Sequence, residues 1–318
     1  MTWQARLART WRQAAASTTL LALMACDAAS EGKAIETTAA VNSVGAIAAT
    51  IPVGPRPLPL AGGFGSIWVR NGDGEVQRID VETNSVVATI EVGGGPYGYL
   101  VAGEGAVWVS GFDDDSVSRI DPATNSVVAE IEVGSAPEGV GVTPGAIWVA
   151  NHHDGTVSRI DPATNRVVAT ITLGREGPSG PLVVAAGQDG VWVNVPNSGD
   201  TVFVIDPVTN AVSASYQDCY DGIALGIDGA WLACSSGIVR VATGAEDVLW
   251  SPIHGEKLAY GGGSVWVREA ESIIRIDAGT GRTLGELEVG GTGELTYFDE
   301  ALWYGNESAG LVRISPSP

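Results

Sequence analysis

The residues best suited to chemistry form three groups of carboxylates and imidazoles. They are the run Asp113, Asp114 and Asp115, the run His152, His153 and Asp154, and the more widely spaced His254, Glu269 and Glu271. Carboxylate oxygens bind hard cations and pair with basic groups, and an imidazole can ligate a metal or accept a proton. These residues predict a site for a divalent cation or a basic ligand. An acidic loop that is merely solvated would have the same composition, and this alternative stays open.

The same residues do not form a recognisable catalyst. A proton-abstracting base needs a partner within hydrogen-bond reach, and His254 with Glu271 is only a fragment of such an arrangement. The chain contains neither a Gly-x-Ser-x-Gly elbow nor a Gly-x4-Gly-Lys-Ser/Thr phosphate loop. We therefore predict no catalytic residue and no cofactor, and we leave the identity of any bound metal unknown.

A tryptophan repeat predicts the scaffold that positions these residues. Tryptophan recurs at intervals of 35 to 44 residues, at Trp68, Trp108, Trp148, Trp192, Trp231, Trp266 and Trp303. A near-regular period of this length is typical of a chain built from copies of one supersecondary unit. Because the ring is large and apolar, we expect each tryptophan to pack between neighbouring copies.

Each copy reads as four short strands. In residues 138–173, four runs rich in Val, Ile and Trp are separated by turns such as Pro144-Gly145 and Asp161-Pro162. Such runs and turns are typical of strands in hairpins. Four strands in roughly 40 residues match one blade of a β-propeller. The sequence therefore predicts an all-β, seven-bladed β-propeller of four-stranded antiparallel blades.

The two ends of the repeat region predict how the ring closes. The last copy ends after three strands, whereas residues 46–54 resemble the fourth strand at residues 86–93. We expect the N-terminal strand to complete the last blade, which would remove two open sheet edges, so that the propeller spans 44–318. Loops after second strands and loops entering first strands should then share one face, where the candidate residues would meet a ligand.

The first 43 residues have a different character. Residues 1–25 combine three arginines with a short apolar run, and Leu23-Met24-Ala25-Cys26 resembles a bacterial lipobox. This pattern predicts a signal peptide over 1–25, lipidation of Cys26, and a flexible tether over 26–43. The protein would then be exported and held on a bacterial membrane, facing the periplasm or the cell surface, through its lipid alone. An ordinary cleaved signal, leaving a soluble secreted protein, is the alternative.

The net charge limits the classes of partner that the protein can bind. The formal net charge of −20 argues against nucleic acid and against lying on anionic lipid, because both require basic residues. It favours cations and basic peptides.

Cys219 and Cys234 flank strands whose loops should share a face, so we predict a disulfide in an oxidising compartment. Two buried free thiols are the alternative.

The repeat text supports a family resemblance. The stretch GAIWVANHHDGTVSRIDPATNRVVATITLG resembles YVTN-type β-propeller repeats of bacterial surface and periplasmic proteins. It is similar, more loosely, to the virginiamycin B (streptogramin) lyase group. The lyase resemblance implies a Mg²⁺ ion held by His and Glu near the C-terminus, with one His as the base. Glu269 and Glu271 are present, but no histidine follows His254, so a complete catalytic set does not carry over.

These observations predict a membrane-anchored propeller that binds a ligand or protein without catalysis. The expected partner is an unknown protein or a small cationic ligand, and we expect the propeller to be a monomer. Two alternatives remain: a Mg²⁺-dependent streptogramin lyase-like enzyme, and a structural envelope protein that docks neighbours.

Overall fold

The computed structural model describes residues 44–173, 180–196, 199–227, 229–241 and 250–317, apart from the side chains of residues 221 and 250. Within these ranges, 28 strands form seven four-stranded antiparallel sheets. Over the same ranges no helix has the length and apolar character needed to cross a membrane. The predicted signal peptide, lipidated Cys26 and tether lie outside the described residues.

Each sheet is one blade, and six blades are continuous in sequence. Blade 1 comprises β2 (Leu60–Gly63), β3 (Ser66–Arg70), β4 (Glu75–Asp80) and β5 (Ser85–Glu91). Blade 2 comprises β6 (Leu100–Gly103), β7 (Ala106–Gly111), β8 (Ser116–Asp121) and β9 (Ser126–Glu132). Blade 3 comprises β10 (Pro137–Thr143), β11 (Ala146–Asn151), β12 (Thr156–Asp161) and β13 (Arg166–Thr172). Blades 4 to 6 comprise β14 (Val183–Gly187), β15 (Gly190–Val195), β16 (Thr201–Ile205) and β17 (Val212–Tyr216); β18 (Cys219–Gly226), β19 (Gly229–Cys234), β20 (Gly237–Val241) and β21 (Trp250–Ser251); and β22 (Lys257–Gly261), β23 (Ser264–Glu269), β24 (Ser272–Asp277) and β25 (Thr283–Glu288).

Blade 7 closes the ring by joining both ends of the propeller. It contains β26 (Gly293–Phe298), β27 (Ala301–Asn306), β28 (Gly310–Pro316) and, on its outer edge, β1 (Gly45–Ile51). In this sheet β1 runs antiparallel to β28, with Ile47 opposite Ile314 and Ile51 opposite Leu311. The predicted seven-bladed fold and its closure by the N-terminal strand are confirmed.

The repeated tryptophans fill the spaces between blades. Trp68, on β3 of blade 1, is fully buried and packs with Val107, Val109 and Ile120 of blade 2. Its indole N–H donates to the Gly63 carbonyl oxygen at 3.1 Å. The packing role predicted for the tryptophans is confirmed, and the hydrogen bond satisfies the one polar atom that would otherwise be buried unpaired.

An arginine lies over most of these rings and reaches into the next blade. Arg119 sits 4.9 Å from the Trp108 ring centroid, a cation–π distance. Its Nη1 also donates to the Pro162 carbonyl oxygen at 2.8 Å and to Asn165 Oδ1 at 2.7 Å, both in blade 3. Asn165 has a φ of 54°, a left-handed conformation that asparagine tolerates better than most residues. The same arrangement joins blade 7 to blade 1 through Arg313, so it operates across the closure.

Candidate functional site

Loops between second and third strands meet loops that enter first strands on one face of the propeller, which we call the loop face. The His152 amide donates to the Ala136 carbonyl at 3.0 Å, and the Ser235 amide donates to the Asp218 carbonyl at 2.8 Å. These backbone bonds hold each loop against the linker that enters its own blade. At these two places the loop face brings together residues from separate segments of the chain.

One carboxylate of the acidic run of blade 2 makes a hydrogen bond that holds the neighbouring linker. Asp113, Asp114 and Asp115 are exposed, and Asp115 Oδ1 accepts the Ala136 amide at 2.8 Å. Beneath them lies Arg70, which is fully buried and donates to the Gly93 and Gly95 carbonyls. Burial lowers the pKa of Arg70 to about 10, while Asp114 and Asp113 oppose the shift. Arg70 therefore stays charged at neutral pH, and its charge offsets part of the acidic run.

The histidine run of blade 3 is divided between scaffold and solvent. Asp154 Oδ2 accepts the Ser135 amide at 2.7 Å, and His152 Nδ1 lies 3.2 Å from the Gly180 carbonyl oxygen. Burial lowers the pKa of His152, with the neighbouring His153 adding to the shift. His152 is thus neutral at neutral pH, and His153 is exposed to solvent.

The third predicted group converges on one cleft of about 880 Å³ between blades 5, 6 and 7. Its wall includes His254, Glu256, Glu269 and Glu271, all exposed. The loop carrying Glu271 is held because its carbonyl oxygen accepts the Val289 and Gly290 amides at 2.9 and 3.0 Å. We call this cavity the acidic cleft.

The acidic cleft also contains a basic residue that sequence reasoning missed. Arg268 is 6% exposed, and its Nη2 donates to Glu256 Oε2 at 2.8 Å. The second position after the repeated Trp holds Ala150 and Gly305 in other blades but an arginine in blades 1 and 6, Arg70 and Arg268, so the arginine alone did not single out the cleft. Arg268 neutralises Glu256, whereas Glu269 and Glu271 form no ion pair with any residue that the structure describes.

The predicted groups do not assemble into a metal centre. Within the described ranges, no group of three or more His, Cys, Asp or Glu side chains is arranged to hold a metal ion. In particular, the acidic cleft combines the exposed His254, Glu269 and Glu271 without meeting that condition. These residues do not fit the Mg²⁺ centre that the lyase resemblance implies.

The two predicted cysteines lie on the edge of the acidic cleft. Cys219 on β18 and Cys234 on β19 are register partners, and their Sγ atoms are bonded at 2.04 Å. Both residues are buried, and Cys234 contributes to the cleft wall beside Tyr220. The bridge therefore ties together the two innermost strands of blade 5 next to the cleft.

The inner strands leave a channel of about 300 Å³, lined mainly by apolar residues and by exposed backbone polar groups. Its polar contact is an ion pair between Lys257 Nζ of blade 6 and Glu294 Oε1 of blade 7 at 2.8 Å. Where the channel opens on the loop face there is a depression of about 240 Å³, with Tyr97, Glu138 and Glu307 in its wall. We call this the channel mouth.

Solved structures share this fold. A streptogramin B lyase matches with a TM-score of 0.70 at 16% identity, over 84% of this chain and 96% of that one. A catalytically inactive variant of virginiamycin B lyase from Staphylococcus aureus with quinupristin matches with a TM-score of 0.67 at 18% identity, over 84% and 97%. Hydrazine synthase from Kuenenia stuttgartiensis matches with a TM-score of 0.63 at 13% identity, over 84% and 97%.

No protein-family model and no curated protein sequence matches the chain. The structural likeness agrees with the looser resemblance to the streptogramin lyase group. At such low identity the likeness establishes the class of the protein, a seven-bladed β-propeller, and carries no activity with it, since one fold supports many functions.

Proposed function

We propose that this propeller is a binding module without catalysis, and that its acidic cleft takes a small ligand bearing a cationic group. The convergence of Glu269, Glu271 and His254 on a cavity of about 880 Å³ carries the proposal. Such a volume lies in the range of small-molecule sites in proteins.

The charges of the cleft favour a cation. Arg268 is engaged by Glu256 at 2.8 Å, so an entering ligand meets the exposed carboxylates of Glu269 and Glu271. A neighbouring wall is formed by Tyr220, which is 40% exposed and can pack against the apolar part of a ligand. The net charge of −20 adds a long-range attraction for cations.

The lyase alternative has less support. It rests on likeness of fold, whereas proton abstraction needs a base with a partner held at hydrogen-bond distance. His254 is exposed, and the sequence contains no further histidine on its C-terminal side. A ligand could therefore occupy the cleft without being cleaved.

The ligand proposal is tested by thermal shift and calorimetry with spermidine and, separately, with MgCl₂. We expect spermidine to raise Tm, because a ligand that binds only the folded state stabilises it by about 2.7 kcal/mol at 100 times Kd. The double variant Glu269→Gln/Glu271→Gln should lose this shift. The matched control Glu286→Gln/Glu288→Gln removes two exposed charges from the outer strand of the same blade and should keep it. Equal loss in both double variants, or a response to Mg²⁺ alone, would contradict the proposal.

We further propose that the protein is exported and tethered through lipid on Cys26. The lipobox-like Leu23-Met24-Ala25-Cys26 and the small polar residues after it support this. A disulfide at Cys219–Cys234 is compatible with an oxidising compartment. Incorporation of radiolabelled palmitate should be abolished in Cys26→Ser; a variant that still takes up label would refute the anchor.

A further inference from the structure

Four aromatic side chains form a continuous row on the loop face, on blades 2 and 3, whereas blades 5 to 7 line the acidic cleft. The Tyr97 and Phe112 centroids are 5.8 Å apart, Phe112 and His153 are 5.6 Å apart, and His153 and His152 are 5.5 Å apart. We call Tyr97, Phe112, His153 and His152 the aromatic row. It starts at the channel mouth, which Tyr97 lines, and runs across blades 2 and 3.

The repeat does not require these rings. Phe112 and His152 occupy the fourth position after the repeated Trp, where blade 1 has Gly72 and blade 6 has Ala270. A glycine or alanine there still allows the β-hairpin to form. Tyr97 is 57% exposed, so its ring adds little to the core. Tyr97 and His153 are exposed, and exposed aromatic rings that the scaffold does not need are more typical of a contact surface.

Carboxylates surround both ends of the row. The Asp113 carboxylate lies against Gly95, two residues before Tyr97, and Asp154 follows His153 in sequence. At the channel mouth, the wall that holds Tyr97 also holds Glu138, Glu294 and Glu307 and one exposed cation, Arg56, so carboxylates outnumber cations there. Guanidinium groups combine a charge for such carboxylates with a flat surface that stacks on aromatic rings. An ammonium lacks the flat surface, and a sugar lacks the charge.

We propose that the aromatic row and the channel mouth bind an arginine-containing basic segment of a partner protein. One arginine would place its guanidinium in the channel mouth beside Tyr97, facing Glu138 and Glu307, while the segment follows the row outward over Phe112 and His153. The residues that line this surface differ from those that line the acidic cleft, and the two surfaces adjoin in blade 7, where the Glu307 amide donates to the Thr292 carbonyl at 3.3 Å.

The test uses a synthetic peptide, acetyl-Gly-Arg-Gly-Arg-Gly-Arg-amide, and its citrulline counterpart, which keeps the shape and removes the charge. Calorimetry with the full chain should detect binding of the arginine peptide and about tenfold weaker binding of the citrulline peptide. Tyr97→Ala should weaken the arginine peptide about five- to tenfold. Tyr220→Ala, a matched change of an exposed tyrosine on the acidic cleft, and Glu269→Gln/Glu271→Gln should weaken the arginine peptide less than Tyr97→Ala does. A greater loss in either would place the peptide in the acidic cleft and overturn the proposal.

Two further measurements keep the result interpretable. Circular dichroism should give Tyr97→Ala the same Tm as the parent, since the ring is largely exposed. Glu307→Gln, an exposed substitution, should weaken the arginine peptide and reduce the salt dependence of its binding. Equal affinity for both peptides, or unchanged affinity in Tyr97→Ala, would overturn the proposal. Binding of chitohexaose that is lost in Tyr97→Ala, without binding of the arginine peptide, would overturn it in favour of a carbohydrate.

Discussion

The contact between Arg119 and blade 3 offers a sharp test of how the ring is held together. Arg119→Met removes the guanidinium and retains a long side chain over Trp108. The lost interactions are two hydrogen bonds from Nη1, at 2.8 Å to the buried Pro162 and at 2.7 Å to Asn165, and a cation–π contact at 4.9 Å. Hydrogen bonds to a charged group contribute about 1.5–3 kcal/mol, and an exposed cation–π contact about 0.5–1 kcal/mol.

Two such bonds and the contact would sum to about 3.5–7 kcal/mol. Because Arg119 is partly exposed, water replaces part of the lost interaction, and we expect Arg119→Met to lower the free energy of unfolding by about half of that sum, about 2–4 kcal/mol. Urea unfolding followed by tryptophan fluorescence measures this directly, because the repeated tryptophans are buried. The control Arg282→Met makes the same change in charge at an exposed side chain and should stay within about 0.5 kcal/mol of the parent.

A double-mutant cycle separates the inter-blade contact from general damage. Asn165→Gly removes the acceptor and keeps a backbone that tolerates the φ of 54°. If the contact is real, Arg119→Met should cost markedly less in the Asn165→Gly background than in the parent. The reasoning is refuted if the two changes are additive, or if Arg119→Met costs no more than Arg282→Met.

The other predictions concern the disulfide, the closure and acid stability. Cys219→Ser/Cys234→Ser should lower the free energy of unfolding by about 3 kcal/mol. This is the chain-entropy value for a disulfide that closes a loop of roughly 15 residues, as this one does. A denaturant midpoint that is unchanged by the substitution or by reductant would contradict this. Deletion of residues 44–54 removes β1 from blade 7 and should abolish cooperative thermal unfolding. An unchanged melting curve would show that β1 is not needed to close the ring. Hydrogen bonds from the Thr164 side chain and the Ala163 amide lower the pKa of Asp161. Its contribution to stability is therefore complete above about pH 4 and lost as pH falls through the lowered value. Asp161→Asn should flatten the pH dependence of Tm between pH 5 and 2, and an unaltered slope would count against this account.

The sequence could predict which residues lie on the candidate face, but not which residues they contact. Because the repeat identifies which loops lie on one face, Asp113, His152, His254 and Glu269 could be assigned to that face from sequence. The partner of each residue could not. Arg268 on β23 pairs with Glu256, which lies just before β22. The Asp115 carboxylate accepts the Ala136 amide, which lies in the linker to the next blade. Loop conformation decides these pairings, and no residue period encodes it.

The sequence by itself determined the number of blades and their strand order, because six of the seven blades fold from one continuous segment whose turns and apolar strands are local signals. It also determined the closure by β1, because the last copy of the repeat lacks a fourth strand and residues 46–54 resemble one. Only the tertiary structure decided what the loops build. The aromatic row joins Tyr97 to His153 across two blades, and the acidic cleft joins loops of three blades. Such contacts depend on the tilt of neighbouring blades and on loop paths, which follow from packing of the whole ring around its buried tryptophans.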